Sequence, residues 1–264
     1  MQTTSTSLLI AVSDYSNYDR SAGLPVGSSN LFSPQNNLTS MWQLLRGIGF
    51  AAPDFAITSS PLCNNFGAHP GFYGEATRDL VLQGVEFVAH NLASSDQTRA
   101  LIYFSGHGAW DETEGPVLCP TDLRSQEGTL INMVSLAEIE AMMSEIAPGK
   151  SVTFILDCCD SGLPGTSSPV HRPSLWRLGQ TAKLRDRDVL FSSTGPRHVG
   201  VETRIDGAWH GAFTWALCQA ANQFAHRPGE GFLYLDLSLK SLATRAGQLL
   251  QGLSIPQTPQ LEEV

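Results

Sequence analysis

Basic residues are scarce in this chain. It has 16 Lys and Arg against 25 Asp and Glu, a formal net charge of −9 over 264 residues. Neutralising a phosphate backbone needs clustered basic side chains, so this balance argues against a nucleic-acid partner. Long apolar runs are missing too. The stretch Leu8–Val12 near the N-terminus is too short to span a membrane and has no basic segment before it. The expectation is a soluble, intracellular (cytoplasmic) protein with no membrane partner. Cysteines are few and unpatterned: the five are Cys63, Cys119, Cys158, Cys159 and Cys218. An odd count without regular spacing does not read as a disulfide framework. No pair forms a CxxC, which argues against a structural zinc site, and no cofactor or metal is expected. GxSxG and phosphate-loop patterns are absent, as are internal repeats.

What is present is a globular composition. Hydrophobic residues make up 42% of the chain and charged residues only 16%, enough apolar mass for a sizeable core. Short apolar runs at Leu8–Val12, Ala100–Phe104, Val152–Leu156 and Asp188–Phe191 are continuous rather than alternating. That pattern suits parallel strands covered on both faces. Between them lie stretches of helical spacing. One starts at Pro34 and stops at Gly49, and a second covers Glu75 to Leu92. A third opens with the capping-box sequence Ser135-Leu136-Ala137-Glu138 and stops at Pro148-Gly149. Two more fall near Ala212–Phe224 and Ser238–Leu250. Strands alternating with helices predict an α/β sandwich around one mostly parallel central sheet. Two long loops interrupt it, Gly162 to Arg187 and about Gly195 to Gly211.

Two strand ends carry chemistry. Leu101-Ile102-Tyr103-Phe104 runs into Ser105-Gly106-His107-Gly108. Val152-Thr153-Phe154-Ile155-Leu156 runs into Asp157-Cys158-Cys159-Asp160-Ser161-Gly162. In open α/β sheets reactive groups gather beyond the carboxyl ends of the strands. If these two strands are neighbours, an imidazole and a thiol meet there, the minimum apparatus for nucleophilic acyl transfer. The glycines beside His107 allow close approach of a substrate backbone, and the amide of Gly108 can serve an oxyanion. Each motif alone has a plainer meaning. A His between glycines can be a turn residue, and a Cys after an apolar strand is usually inert core.

Together, and in this order, the two motifs resemble those of caspases, metacaspases and their bacterial relatives. Leu8–Tyr15, Ala76-Thr77-Arg78 with Asp96, His210-Gly211-Ala212-Phe213-Thr214 and Gln257-Thr258-Pro259-Gln260-Leu261 resemble other stretches of that family. The resemblance therefore covers nearly the whole chain. It implies a caspase-like three-layer sandwich, with a large-subunit-like part at 1–160, a connecting loop at 161–187 and a small-subunit-like part at 188–264. It further implies a cysteine endopeptidase in which Cys159 is the nucleophile and His107 the general base. The backbone amides of Gly108 and Cys159 would form the oxyanion hole. Asp157, Ser105 and Asn37 would line the pocket for the residue before the cut, favouring Arg or Lys there. Asn36-Asn37 departs from the family's common Asn-Asp pair, which removes one carboxylate from that pocket. Asp160 replaces the usual His or aromatic residue after the nucleophile. The implied partners are protein or peptide substrates and a possible regulatory protein, in a bacterial regulatory or defence setting. The alternative is an inactive or partner-activated scaffold of the same fold. Any self-cleavage is expected in the 162–187 loop, at Arg177, Lys183, Arg185 or Arg187.

Overall fold

The computed structural model describes residues 5–47, 55–59, 74–144, 146, 149–158, 189–193, 200–226, 234–235, 239–257 and 259–263. Six strands form the central sheet: β1 (Ser5–Val12), β2 (Phe55–Ser59), β3 (Arg99–Gly106), β9 (Ser151–Cys158), β10 (Val189–Ser192) and β15 (Gln260–Glu263). Their order is β15-β10-β9-β3-β1-β2. All neighbours are parallel except β10 and β15, which are antiparallel.

Side chains alternate across a strand, so a strand between two helical layers must be apolar on both sides. β1 does this: Leu8, Ile10 and Val12 enter one core, Leu9 and Ala11 the other. On the first side the sheet is covered by α1 (Ser16–Ala22), α3 (Arg78–Ser94) and α4 (Leu136–Met143). Val81, Val85, Val88 and Leu92 of α3 and Ile139 and Met143 of α4 pack there. On the second side lie α2 (Pro34–Gly47), α5 (Ala212–Phe224) and α6 (Leu239–Gly252). They contribute Leu38, Met41 and Leu45, Phe213 and Leu217, and Ala246 and Leu250. The result is the three-layer sandwich the apolar pattern predicts.

Local signals fix the helix ends. Thr77 caps α3 by accepting from the amide of Leu80, and Ser135 and Glu138 form the expected capping box on α4. α4 ends at Met143, short of the Pro148-Gly149 stop.

Small hairpins decorate the sandwich, and the helix and strand periods did not anticipate them. β4 (Gly108–Asp111), β5 (Gly115–Leu118) and β8 (Val134–Ser135) form one three-stranded sheet, and β6 (Arg124–Gln126) pairs with β7 (Thr129–Ile131). The stretch from Gly195 to Gly211 is not all loop: β11 (Glu202–Ile205) and β12 (Ala208–Gly211) make an antiparallel hairpin. Its turn is Asp206-Gly207, both at positive φ (52° and 84°), as a two-residue hairpin turn requires. Two further short strands, β13 (Ala225–His226) and β14 (Tyr234–Leu235), pair with each other. Cys159, Asp160 and the 161–187 loop lie outside the described residues.

Candidate active site

The register decides what meets at the carboxyl end of the sheet. β3 and β9 are adjacent and parallel, with Ser105 opposite Asp157 and Gly106 opposite Cys158. His107 leaves β3 at the point where β9 hands the chain on toward Cys159.

The two strands sort their last side chains by the same alternation. Cys158 joins the core on the α3 side and is buried. Ser105 and Asp157 are buried on the α2 and α5 side. Asn37, in the first turn of α2, meets them there. Its Nδ2 donates to Ser105 Oγ (3.0 Å), Asp157 Oδ2 (3.3 Å) and Ser33 Oγ (3.3 Å). Its Oδ1 accepts from the amide of Gly211 (2.9 Å). Thr214 completes the group, donating to Asp157 Oδ2 from its hydroxyl (2.6 Å) and its amide (3.3 Å). Tyr103 shares a 2.7 Å hydrogen bond with the Thr214 hydroxyl. A β-carbon at Gly211 would collide with the carboxylate of Asp157 and the amide of Asn37, so only glycine keeps this space open.

Burial sets the charge of this group. It pushes the Asp157 carboxyl up to about 6 against the hydrogen bonds from Thr214, and the nearby charge of Glu202 raises it further. Burial, then the proximity of Asp157, also holds Tyr103 well above the ordinary phenol range.

His107 is held on several sides. Its amide donates to Tyr15 Oη (2.7 Å), and its carbonyl accepts from the amide of Cys119 (3.1 Å). Tyr15 Oη in turn donates to the Cys119 carbonyl (3.1 Å). The imidazole packs against the Tyr15 ring, with centroids 4.6 Å apart and planes tilted by 57°. Gly106 allows this approach, because a β-carbon there would lie 2.7 Å from Tyr15 Oη. His107 Nε2 lies 2.9 Å from the carbonyl oxygen of Ser29. A carbonyl only accepts, so Nε2 carries the proton and Nδ1 keeps its lone pair. Burial lowers the His107 pKa, while the Ser29 carbonyl and the charges of Glu202 and Asp19 oppose that shift.

Gly108 opens β4 opposite Leu118 and is buried beside His107. The end of β9 is fixed separately. Ser193 donates from its hydroxyl to the Cys158 carbonyl (3.0 Å) and from its amide to the Leu156 carbonyl (2.9 Å). Gln257 donates to the Ser193 carbonyl (2.9 Å).

The structure thus brings Asn37, Ser105 and Asp157 into one buried cluster, with His107 two residues beyond Ser105. Tyr15, Ser29, Ser193, Gly211, Thr214 and Gln257 are further members of this region. The sequence motifs held Tyr15, Gly211, Thr214 and Gln257 without giving them a role. Ser29 acts through its backbone, which no side-chain pattern reveals.

Set beside known proteins, this arrangement has a family. The family model described as the caspase domain of peptidase family C14 matches residues 4–263. The chain belongs to the caspase-domain family. The fold recurs in solved structures at low identity. A crystal structure of a protein from Geobacter sulfurreducens shares 18% identity, covers 98% of this chain and 92% of its own, and gives a TM-score of 0.60. Caspase-1 from Spodoptera frugiperda shares 12% identity, covers 99% and 87%, and gives a TM-score of 0.59. No curated protein sequence matches significantly. This caspase-domain chain has no helix, among its described residues, long and apolar enough to cross a membrane.

Proposed function

We propose that this caspase-family protein is a cysteine endopeptidase with Cys159 as nucleophile and His107 as general base, cleaving after Lys or Arg. The observation that carries this reading is the His107 imidazole. Its Nε2 is committed to the Ser29 carbonyl, so Nδ1 is the free base, at the strand end adjacent to the one that leads to Cys159. In the proposed reaction Nδ1 takes the thiol proton and the thiolate attacks the scissile carbonyl. The amides of Gly108 and Cys159 bind the oxyanion, and the imidazolium protonates the leaving amine. Water then hydrolyses the thioester.

Asp157 supports the preference for a basic residue before the cut. It is a carboxylate with hydrogen-bond donors around it and no ion pair among the described residues. Asn37 donates to it and does not supply a second negative charge. The pocket therefore offers one charge to a cationic side chain through charge-assisted hydrogen bonds. Protein or peptide substrates, a bacterial regulatory or defence role, and subunit-like parts at 1–160 and 188–264 complete the proposal.

The test is cleavage of a peptide library by the purified chain, with Cys159→Ala and His107→Ala alongside. Turnover after Lys or Arg, abolished in both variants and little worse in the double variant, is the expected outcome. A wild type inert at every concentration would point to a scaffold. Cleavage after Asp with none after Arg or Lys would remove the role given to Asp157. An active Cys159→Ala with a dead Cys158→Ala would reassign the nucleophile.

A further inference from the structure

Asp19 lies in α1, outside the reacting groups named above, yet its side chain is fully buried. Burying a carboxylate is unfavourable unless donors surround it. Here the donors all come from one turn. Asp19 Oδ2 accepts from the amides of Gly27 (2.7 Å) and Ser29 (3.3 Å), and Oδ1 accepts from the Ser28 hydroxyl (3.2 Å). The last residue of that turn, Ser29, presents the carbonyl that receives the Nε2 proton of His107. The chain beyond is pinned as well, since Asn30 Oδ1 accepts from the Tyr15 amide (2.8 Å) and the Leu31 amide donates to the Ser13 carbonyl (3.0 Å). Those contacts hold residues 30 and 31. The side of the turn that precedes Ser29 has its own backbone bonds, from the Ser28 amide to the Pro25 carbonyl (3.0 Å) and from the Asn30 amide to the Gly27 carbonyl (3.2 Å). Among the described residues, the Asp19 carboxylate is the side chain that ties it to α1.

We propose that Asp19 is a positioning residue for His107, fixing its tautomer and ring orientation through the Ser29 carbonyl. The carboxylate touches no substrate and moves no proton. It orders the Gly27–Ser29 turn so that one carbonyl points at Nε2, and Nδ1 is left as the lone-pair nitrogen. An amide is a weaker anchor: Asn loses the charge that strengthens the bonds from the Gly27 and Ser29 amides, and its N–H₂ forces the Ser28 hydroxyl to turn from donor to acceptor. The groups facing His107 are the Tyr15 ring, the Ser29 carbonyl and the charges of Asp19 and Glu202. Loss of the carbonyl contact and of the Asp19 charge both disfavour the imidazolium. The functional consequence rests on the reading of His107 as general base; the structural one does not.

The experiment is nitrogen-15 NMR of the His107 ring in wild type and Asp19→Asn, assigned by the signal lost in His107→Gln, together with pH profiles of kcat/KM. Wild type should show a single Nε2–H tautomer. Asp19→Asn should show mixed tautomers, a lower imidazole pKa and an acid limb of kcat/KM displaced in the same direction. kcat should fall about ten- to a hundredfold with KM little changed, as for a misplaced catalytic group. If Asp19→Asn does not fold, Asp19→Glu, which keeps the charge but moves it by one methylene, should show the same mixed tautomers. A folded variant with the wild-type tautomer and titration overturns the proposal, whatever its Tm. A wild type without peptidase activity would instead count against the proposed function, and the NMR comparison would still decide the role of Asp19.

Discussion

Asp157 and Asp19 are both buried carboxylates, and their acidities move in opposite directions. Asp157 is raised to about 6. Asp19 is lowered: burial pushes it up, but hydrogen bonds from Ser29, Gly27 and Ser28 outweigh that push. The surroundings explain the difference. Asp157 sits deep between the sheet and the helices, and its three donors among the described residues converge on one oxygen, Oδ2. Asp19 lies beneath a single turn, and donors reach both of its oxygens. Each carboxylate has three donors among the described residues, so their number does not separate the two; the depth of burial and the spread of donors over one or both oxygens do.

That contrast can be broken most severely at Asp157. Asp157→Asn should lower kcat/KM for basic substrates by about one to three powers of ten, since charged hydrogen bonds contribute roughly 2–4 kcal/mol in a buried setting. The same variant should be more stable than wild type at pH 8, because a rise from 3.8 to about 6 amounts to about 3 kcal/mol of unfavourable ionisation. Kinetics and denaturant unfolding of one preparation test both halves. A variant that loses activity and stability together would contradict the account of Asp157.

A subtler separation comes from pH. Asp157 binds its proton more tightly folded than unfolded, so its contribution to stability is lost as pH rises from about 4 to about 6. Asp19 has the opposite sign: its contribution is present above the unfolded carboxylate pKa and is lost as pH falls through its lowered folded value. Unfolding free energies across pH 3–8 should show the Asp157→Asn profile flattened between pH 4 and 6. The Asp19→Asn profile should be flattened at the acid end. Exchange of the two effects would refute the assignment. Activity on basic substrates should also decline below about pH 6, as Asp157 takes up its proton.

The smallest expected effect concerns the other thiols. Burial, then the nearby Asp157 charge, pushes Cys218 up to about 12, and Cys119 and Cys158 are buried. Iodoacetamide at neutral pH should spare these three while a catalytic Cys159 reacts. Mass mapping that finds Cys218 modified in folded protein would show that the Asp157 side of the sheet is more open than described.

The sandwich was legible in the sequence because its strands and helices carry strong, continuous periods. The run read at Leu8–Val12 lies within β1 (Ser5–Val12), and the helical stretches read from Pro34 to Gly49 and near Ala212–Phe224 are α2 (Pro34–Gly47) and α5 (Ala212–Phe224). The hairpin at Glu202–Gly211 was not legible in the same way. Its signal is the dipeptide Asp206-Gly207, and its strands are too short and half-exposed for a period to show. The motifs also named Asn37, Ser105, Asp157 and His107, residues the structure places at the carboxyl end of the central sheet. Thr214 stood within a recognisable motif, but its bond to Asp157 depends on how α5 docks. Asp19 stood in no motif. Its partners are backbone amides and one hydroxyl of a turn, and no sequence pattern marks a turn whose donors point inward.

The pocket also has a history along the chain. Asn37 receives the amide of Gly211, 174 residues later, and the Asp157 carboxyl is satisfied by Thr214. During synthesis, α2 and the strands bearing Ser105 and Asp157 leave the ribosome long before the segment that closes over them. Until that last segment docks, the Asp157 carboxyl lacks its two donors from Thr214 and the Asn37 carbonyl lacks its own. Under the proposed function, a growing chain would carry both motifs before it had a finished place to seat a substrate, and the order of synthesis would restrain it without any inhibitor.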